Sequence, residues 1–293
     1  MNGGAVRKTT YKARSARVRE FKSHFMMGVT VAATILTLLP LFLILGYLIT
    51  KGASSLNVAF FVRMPAPVGE LGGGMANAIV GTLELIGLAS LIGVPIGIGT
   101  GLYLSEHRTS RFADAIRFSA DVMMGVPSIV AGIFAYAVVV RPMGGFSALA
   151  GAIALAVVMI PLVTRTSEEM LLLVPHELRE AALALGVPRW RTTLSVVLRT
   201  ATTGIATGVI LAIARVAGET APLLFTAFGN RFWSTSLTAP ISSLTMQVYT
   251  YAISPFPDWQ RQAWAGALVL TSIVLALELG VRWFTRSGVR VAR

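Results

Sequence analysis

No cysteine occurs in the 293 residues, which excludes a disulfide framework and any thiolate metal site. Charge is also scarce. Asp, Glu, Lys and Arg make up 13% of the chain, whereas a water-soluble domain carries about a quarter. That polar surface is too small for a soluble body of this length. Histidine is confined to His24, His107 and His176, which lie far apart and read as solvated or interfacial side chains rather than a ligand cluster. The lysines are Lys8, Lys12, Lys22 and Lys51, and none follows a glycine. The Gly-Lys-Ser/Thr loop that cradles phosphate in ATPases is therefore missing. No nucleophile–base or paired-carboxylate arrangement stands out either. These absences predict a non-catalytic chain with no cofactor and no metal of its own.

What is present is apolar: hydrophobic residues make up 55% of the chain, and mean hydropathy is +0.72. Runs long enough to cross a bilayer, about 17–25 residues, fall near 26–49, 76–104, 118–140, 145–164, 201–228 and 263–284. A lipid-exposed segment must satisfy its backbone hydrogen bonds internally, so such runs become helices. A barrel would need shorter segments of alternating polarity, and there are none. The fold class expected is an all-α membrane protein with six transmembrane helices. Residues 1–25 form a basic cytoplasmic tail, expected to be flexible. Residues 26–49 form a first anchor helix, residues 70–285 a transmembrane core, and residues 286–293 a second tail. The 26–49 run is longer than the apolar region of a secretory signal, so it reads as a retained anchor.

The net charge of +12 could suggest nucleic acid, but its distribution points to topology. Six spans put both ends on one side. Nineteen of the 25 Lys and Arg residues then fall on that side, in the tails and the 105–117 and 165–200 links. Five (Lys51, Arg63, Arg141, Arg231 and Arg261) fall opposite, and Arg215 is inside a span. Positive charge favours the cytoplasmic side, so both termini are expected there. The excess also attracts anionic headgroups.

Within the second run, Gly93, Gly97 and Gly101 recur every four residues, a small-residue stripe that lets another helix approach closely. Pro95, Pro127 and Pro161 lie in or near spans and are expected to kink or break them.

The 165–200 link is a polar island. Ser167-Glu168-Glu169 reads as one helix start and Pro175-His176-Glu177 as another. Leu178, Ala181, Ala182 and Leu185 share a helical spacing. Gly186 ends that helix, Pro188 prevents its continuation, and a further helix follows from about 189. A helix lying on lipid would carry several basic residues. Only Arg179 occurs within 166–188, so a protein partner fits better. Glu180-Ala181-Ala182, three residues, Gly186, nine residues and Val196-Val197-Leu198 together resemble the EAA loop of bacterial ABC-importer permeases. One departure is Arg199, where the consensus has proline. The resemblance implies the type I (MetI-like) permease fold. It also implies that the loop's short helix docks in a cleft of a separate ATPase, through Glu180, Ala181, Ala182 and Gly186.

The fifth run holds Arg215 and Glu219. Four residues apart on a helix, they share a face. Charge inside a bilayer is costly and faces a cavity or a partner. Two readings stay open: an ion pair that neutralises itself, or an anion path in which the guanidinium fork meets an oxyanion. Glu84 and Glu278 also lie in apolar runs; Glu278 is near a cytoplasmic end and Glu84 is expected to be packed or water-lined.

The string Ala214 to Thr226, with Gly218-Glu219-Thr220-Ala221-Pro222 at its centre, is similar to the PstA-type permeases of phosphate ABC importers. So are Gly125 to Val130 and the stretch from Pro240 to Pro255 around Tyr249-Thr250-Tyr251. The similarity covers roughly residues 70–285. It implies a plasma-membrane permease subunit, in a bacterium or archaeon, that imports inorganic phosphate. The implied partners are a homologous permease of the PstC type, an ATPase dimer of the PstB type binding ATP-Mg, and an extracytoplasmic phosphate-binding protein of the PstS type. Arg215, Glu219 and Thr220 would line the substrate path. Arg215 would offset the anion's dehydration, and Glu219 would orient it or prevent too stable a complex. Segment 229–262 would lie partly in the interface and line an outer gate. The alternatives are a permease for another oxyanion, such as molybdate or sulfate, or a non-transporting scaffold or sensor of phosphate status.

Overall fold

The computed structural model describes residues 13–234 and 236–289, so the expectations for residues 1–12 and 290–293 lie outside the described residues. The chain divides into two units, Met1–Thr50 and Lys51–Arg293.

The first unit is one helix for most of its length. Helix α1, Ala13–Gly52, continues two residues into the second unit and carries Pro40 without a break. Forty residues at 1.5 Å each reach about 60 Å, well beyond a hydrocarbon core of about 30 Å. Phe25, Ile35, Leu36 and Phe42 are all more than half exposed, so the helix is apolar around its circumference, as a lipid-facing anchor is. Residues 13–25, expected to be part of a flexible tail, are its first turns: Ala, Arg and Glu there favour helix, and the apolar run that follows extends it.

The second unit contains α2 (Val58–Val62), α3 (Ala76–Glu106), α4 (Arg111–Gly125) and α5 (Ser128–Met143). There follow α6 (Ala148–Leu172), α7 (His176–Ala184), α8 (Arg189–Ala217), α9 (Ala221–Thr226), α10 (Leu244–Ala252) and α11 (Pro257–Val289). With α1, five helices are long and apolar enough to cross a bilayer, and the bent pair α4–α5 makes a sixth when counted as one broken span. Among the described residues pairing of extended backbone is limited to two isolated bridges.

The third run, 118–140, is broken at Pro127, one of the three prolines expected to kink or break a span. Val126 and Pro127 are both extended, with ψ of 128° and 135°, and the axis turns by 106°. Proline drives the residue before it out of helical geometry and cannot donate to the preceding turn. Pro95 and Pro161, by contrast, sit inside unbroken helices. The fourth span runs on to Leu172, so Ser167-Glu168-Glu169 is helix interior and not a new start. The fifth span begins at Arg189 and stops at Ala217; residues 218–220 break it and α9 is a separate short helix.

Helix α6 is central. Of its most apolar stretch 61% is buried, against at most 33% for the other spans of this unit. It packs along α3 on the glycine stripe. A Cβ on Gly93 would sit 3.2 Å from the Met159 sulfur, and one on Gly97 2.6 Å from Val163 Cβ. A Cβ on Gly101 would sit 2.8 Å from the Thr164 carbonyl oxygen and 2.9 Å from the Glu168 nitrogen. Leu85, Leu155, Met159, Val163, Val216, Leu223 and Met246 form the cluster that joins α3, α6, α8, α9 and α10. A second cluster around Phe60, Met75, Leu244, Tyr251 and Trp259 closes one end, and Leu171, Val197 and Ile205 close the other.

Candidate functional site

Three groups of polar side chains lie along the axis of the second unit. At the Glu106 end of α3, α7 stands as a short helix bounded as the sequence suggests. Gly186 has φ +79°, in the left-handed region that favours glycine. Gly186 N–H donates to the Leu183 carbonyl at 2.9 Å and Val187 N–H to the Ala182 carbonyl at 3.1 Å, the paired bonds of a Schellman C-cap. Arg179 forms an ion pair with Glu106 that fastens α7 to the end of α3. Glu180 is 68% exposed and meets His176 Nδ1 at 3.1 Å. Ala181 is exposed, Ala182 is buried, and nothing approaches Gly186 within 4 Å of where a Cβ would stand. A cavity of about 490 Å³ opens here, lined by Glu106, Arg108, Arg179, Glu180 and Arg189. Beside it Leu183 (41%), Leu185 (84%) and Trp190 (67%) are exposed. Leu178 and Leu185, two of the four residues at helical spacing, are exposed.

Next to this end is a charge network that sequence reasoning missed. Glu168 is only 3% exposed. Its Oε1 accepts from Arg117 Nε at 2.6 Å and its Oε2 from Arg165 at 3.0 Å. Arg165 continues to Asp121 at 2.9 Å. Arg117 reaches Asp114 at 2.7 Å and donates to the Leu104 carbonyl at 2.9 Å. The network ties α4 to α6 and to the last turns of α3. The i, i+3 pair Arg165 and Glu168 was a local clue, hidden by reading residues 165–200 as a link outside the span.

The third group is at the break after α8. Arg215 sits in the last turn of the helix, which is capped by Gly218. Glu219 and Thr220 lie in the break, and Pro222 stands in the first turn of α9, where its missing N–H costs nothing. The break is held from two sides. Thr245 Oγ1 donates to the Glu219 carbonyl at 3.1 Å. Gly132 of α5 packs so closely on Pro222 that a Cβ would lie 2.7 Å from its Cα. The shared helix face expected for Arg215 and Glu219 is not formed, because Gly218 ends the helix between them. Arg215 is exposed and forms no ion pair with any described residue; Glu219 is half-buried and likewise unpaired among the described residues. The self-neutralising pair is thus absent from this conformation. Val216 belongs to the Leu85 cluster, and Leu85 is nine residues into α3, about 13 Å from its start. Arg215 is therefore well inside the length of the spans. Glu84 and Glu278 are half-buried with no ion pair among the described residues.

Among the described residues no group of His, Asp and Glu is arranged to hold a metal ion. A guanidinium with no counter-charge at a broken span can meet an anion through bidentate hydrogen bonds.

The family described as "Binding-protein-dependent transport system inner membrane component" matches residues 93–287. The chain is 47% identical over 265 residues, 90% of each chain, to the phosphate transport system permease protein PstA of Yersinia pestis. In fold it is similar to a chain of a bacterial ABC transporter that imports the acidic polysaccharide alginate (TM-score 0.64, 12% identity, covering 93% of this chain and 98% of that one). It is also similar to a chain of the MetNI methionine ABC transporter in an inward-facing conformation (TM-score 0.59, 19% identity, covering 73% and 96%).

Proposed function

The chain belongs to the family of binding-protein-dependent transport system inner membrane components, and from that premise we propose that it is the PstA-type permease subunit of an ATP-driven importer of inorganic phosphate. The observation that carries the substrate path is Arg215: exposed, unpaired among the described residues, and placed at the break between α8 and α9. A charge placed within the bilayer costs several kcal/mol unless something compensates it, about 2.5–3.5 at a helix centre on insertion scales. A chain that keeps an uncompensated guanidinium there has a use for it, and a passing oxyanion supplies the missing charge. Phosphate loses water on entry, and the fork of N–H donors offsets part of that cost. Binding must stay weak, because a tight site would hold the ion. Glu219, close in sequence but held on the break by its backbone, limits the depth of that well, and Thr220 adds a hydroxyl.

The remaining machinery is supplied by other chains. A homologous PstC-type permease completes the path. A PstB-type ATPase dimer binds ATP-Mg and receives α7 through Glu180, Ala181, Ala182 and Gly186. A PstS-type binding protein delivers phosphate from outside. The exposed Leu185 and Trp190 support a protein partner at α7, since apolar side chains gathered on a polar link mark contact surfaces. The Arg179–Glu106 ion pair and the Glu168 network give α7 a stiff connection to α3 and α6, through which ATPase closure moves the spans. The asymmetry of Lys and Arg supports cytoplasmic termini.

The test is radiolabelled phosphate uptake by the assembled complex, normalised to complex recovered. Charge-assisted hydrogen bonds contribute about 1.5–3 kcal/mol, so Arg215→Gln lowers uptake about 10–100-fold. Because no ion pair is broken, recovery of the complex is unchanged. Arg215→Gln combined with Glu219→Gln stays lowered to the same extent. Full transport by the double variant would leave only a structural role for Arg215.

A further inference from the structure

At the Ala76 end of α3, opposite α7, the loop after α9 and the helix α10 enclose a cavity of about 340 Å³ that no step above uses. Its walls include Arg231, Ser242, Gln247 and Tyr251. The loop is pinned: Asn77 Nδ2, in the first turn of α3, donates to the Asn230 carbonyl at 2.7 Å, and Asn230 Nδ2 donates to the Pro240 carbonyl at 3.2 Å.

Arg231 is exposed and forms no ion pair with any described residue. It is nevertheless not free to swing. Its guanidinium lies over the Trp259 ring at 5.0 Å, and Trp259 in turn stacks on Tyr251 with ring centroids 4.4 Å apart and planes 12° from parallel. A cation resting on an aromatic face keeps its charge and its in-plane donors. Tyr251 is 2% exposed, and its hydroxyl makes no hydrogen bond of ordinary geometry with any described residue, although Gln247 is close enough to act on it. Buried polar atoms are normally satisfied, so one without a partner asks for an explanation. Burial also pushes the Tyr251 phenol upward, against the lowering influence of Gln247 and Arg231; the phenol is a donor at neutral pH with or without that shift. Ser242 donates to Gln247 Oε1 at 3.3 Å, which turns the amide nitrogen of Gln247 away from Ser242. Asp258, the carboxylate at the start of α11, is engaged by Arg261 at 3.0 Å, Gln262 at 3.0 Å and the Gly72 N–H at 3.3 Å. The wall thus offers one fixed cation and neutral donors.

We propose that this cavity is an outer holding site for a partly hydrated tetrahedral oxyanion, inorganic phosphate, with Arg231, Tyr251 and Gln247 as its donors. The proposal rests on the phosphate-importer reading. The cavity can hold roughly ten waters at about 30 Å³ each, so the ion enters with much of its shell. Leu224 of α9 is part of the wall, and α9 begins at the break that follows Arg215. Thr245 of α10 is bonded to that break through the Glu219 carbonyl. The ion is therefore held on the outer side of the elements that carry Arg215, and handed on when they move.

The experiment uses the complete complex in proteoliposomes, with phosphate uptake measured against the concentration of phosphate-loaded binding protein. Arg231→Gln removes an exposed charge, and Tyr251→Phe removes only an unpartnered hydroxyl, so both complexes assemble in normal yield. Losing one neutral hydrogen bond lowers a step about 2–10-fold. Tyr251→Phe therefore lowers the uptake plateau severalfold, Arg231→Gln lowers it further, and Arg231→Lys recovers part. If Arg231 only touched the binding protein, its variants would raise the half-saturating concentration and keep the plateau, and buried Tyr251→Phe would be silent. That pattern, or uptake within twofold of the unaltered complex for both variants, overturns the holding site while leaving the phosphate reading intact. No phosphate uptake by the unaltered complex overturns both.

Discussion

Glu168 shows how much one buried side chain can organise. A carboxylate 3% exposed within a span is stable only because Arg117 and Arg165 both donate to it; desolvation would otherwise outweigh any gain. Breaking a buried pair costs about 3–5 kcal/mol. Glu168→Ala belongs near the lower end, about 3 kcal/mol, since Arg165 keeps Asp121 and Arg117 keeps Asp114. The thermal midpoint of the purified permease complex falls accordingly. Glu168→Gln, which retains acceptor geometry without charge, loses less. A midpoint unchanged by Glu168→Ala would show that the network carries no stability. Arg215, Glu168 and Arg231 were all visible as charged residues in or beside apolar runs. Their partners were not, because Arg117 is 51 residues from Glu168 and Trp259 is 28 from Arg231.

At the scale of elements, the α3–α6 contact is set by missing side chains. Gly97 has room only because it lacks a Cβ, which would lie 2.6 Å from Val163 Cβ. Overpacking of this kind costs about 1–3 kcal/mol. Gly97→Ala therefore lowers the midpoint, and Val163→Gly in the same chain, which removes the Cβ and Cγ1 met at 2.6 and 2.7 Å, restores part of it, since the clash is between two side chains. Gly101→Ala has no such rescue: the atoms met include the Thr164 carbonyl and the Glu168 nitrogen, which no substitution removes. Equal rescue at both positions would contradict the packing. The four-residue glycine spacing was legible because it repeats on one helix face. The break at Val126-Pro127 was legible only in part. Three prolines looked alike in sequence, yet Pro95 and Pro161 sit inside unbroken helices.

For the whole molecule, the exposed surface matters as much as the core. Leu211, Phe134, Ile133 and Trp190 are all about half exposed or more, and Arg215 has no counter-charge among the described residues. The path proposed above is therefore expected to need a second permease to close it. Proteoliposomes holding only this permease and the ATPase therefore show background phosphate uptake, and adding the homologous permease raises it at least tenfold. Import by this chain with the ATPase alone would place the full path in one subunit.

The amino-acid order by itself determined the spanning helices, the charge asymmetry, the EAA helix with its left-handed Gly186 and the family. All of these rest on local runs, short spacings and motifs. The tertiary structure alone decided which prolines break a helix, that Gly218 separates Arg215 from Glu219, that Glu168 lies inside a span between two arginines, and that Arg231, Trp259 and Tyr251 stack beside a cavity. The physical reason is distance along the chain. Hydropathy and capping act over a few residues, whereas desolvated charge and close packing take their energy from partners tens to more than a hundred residues away.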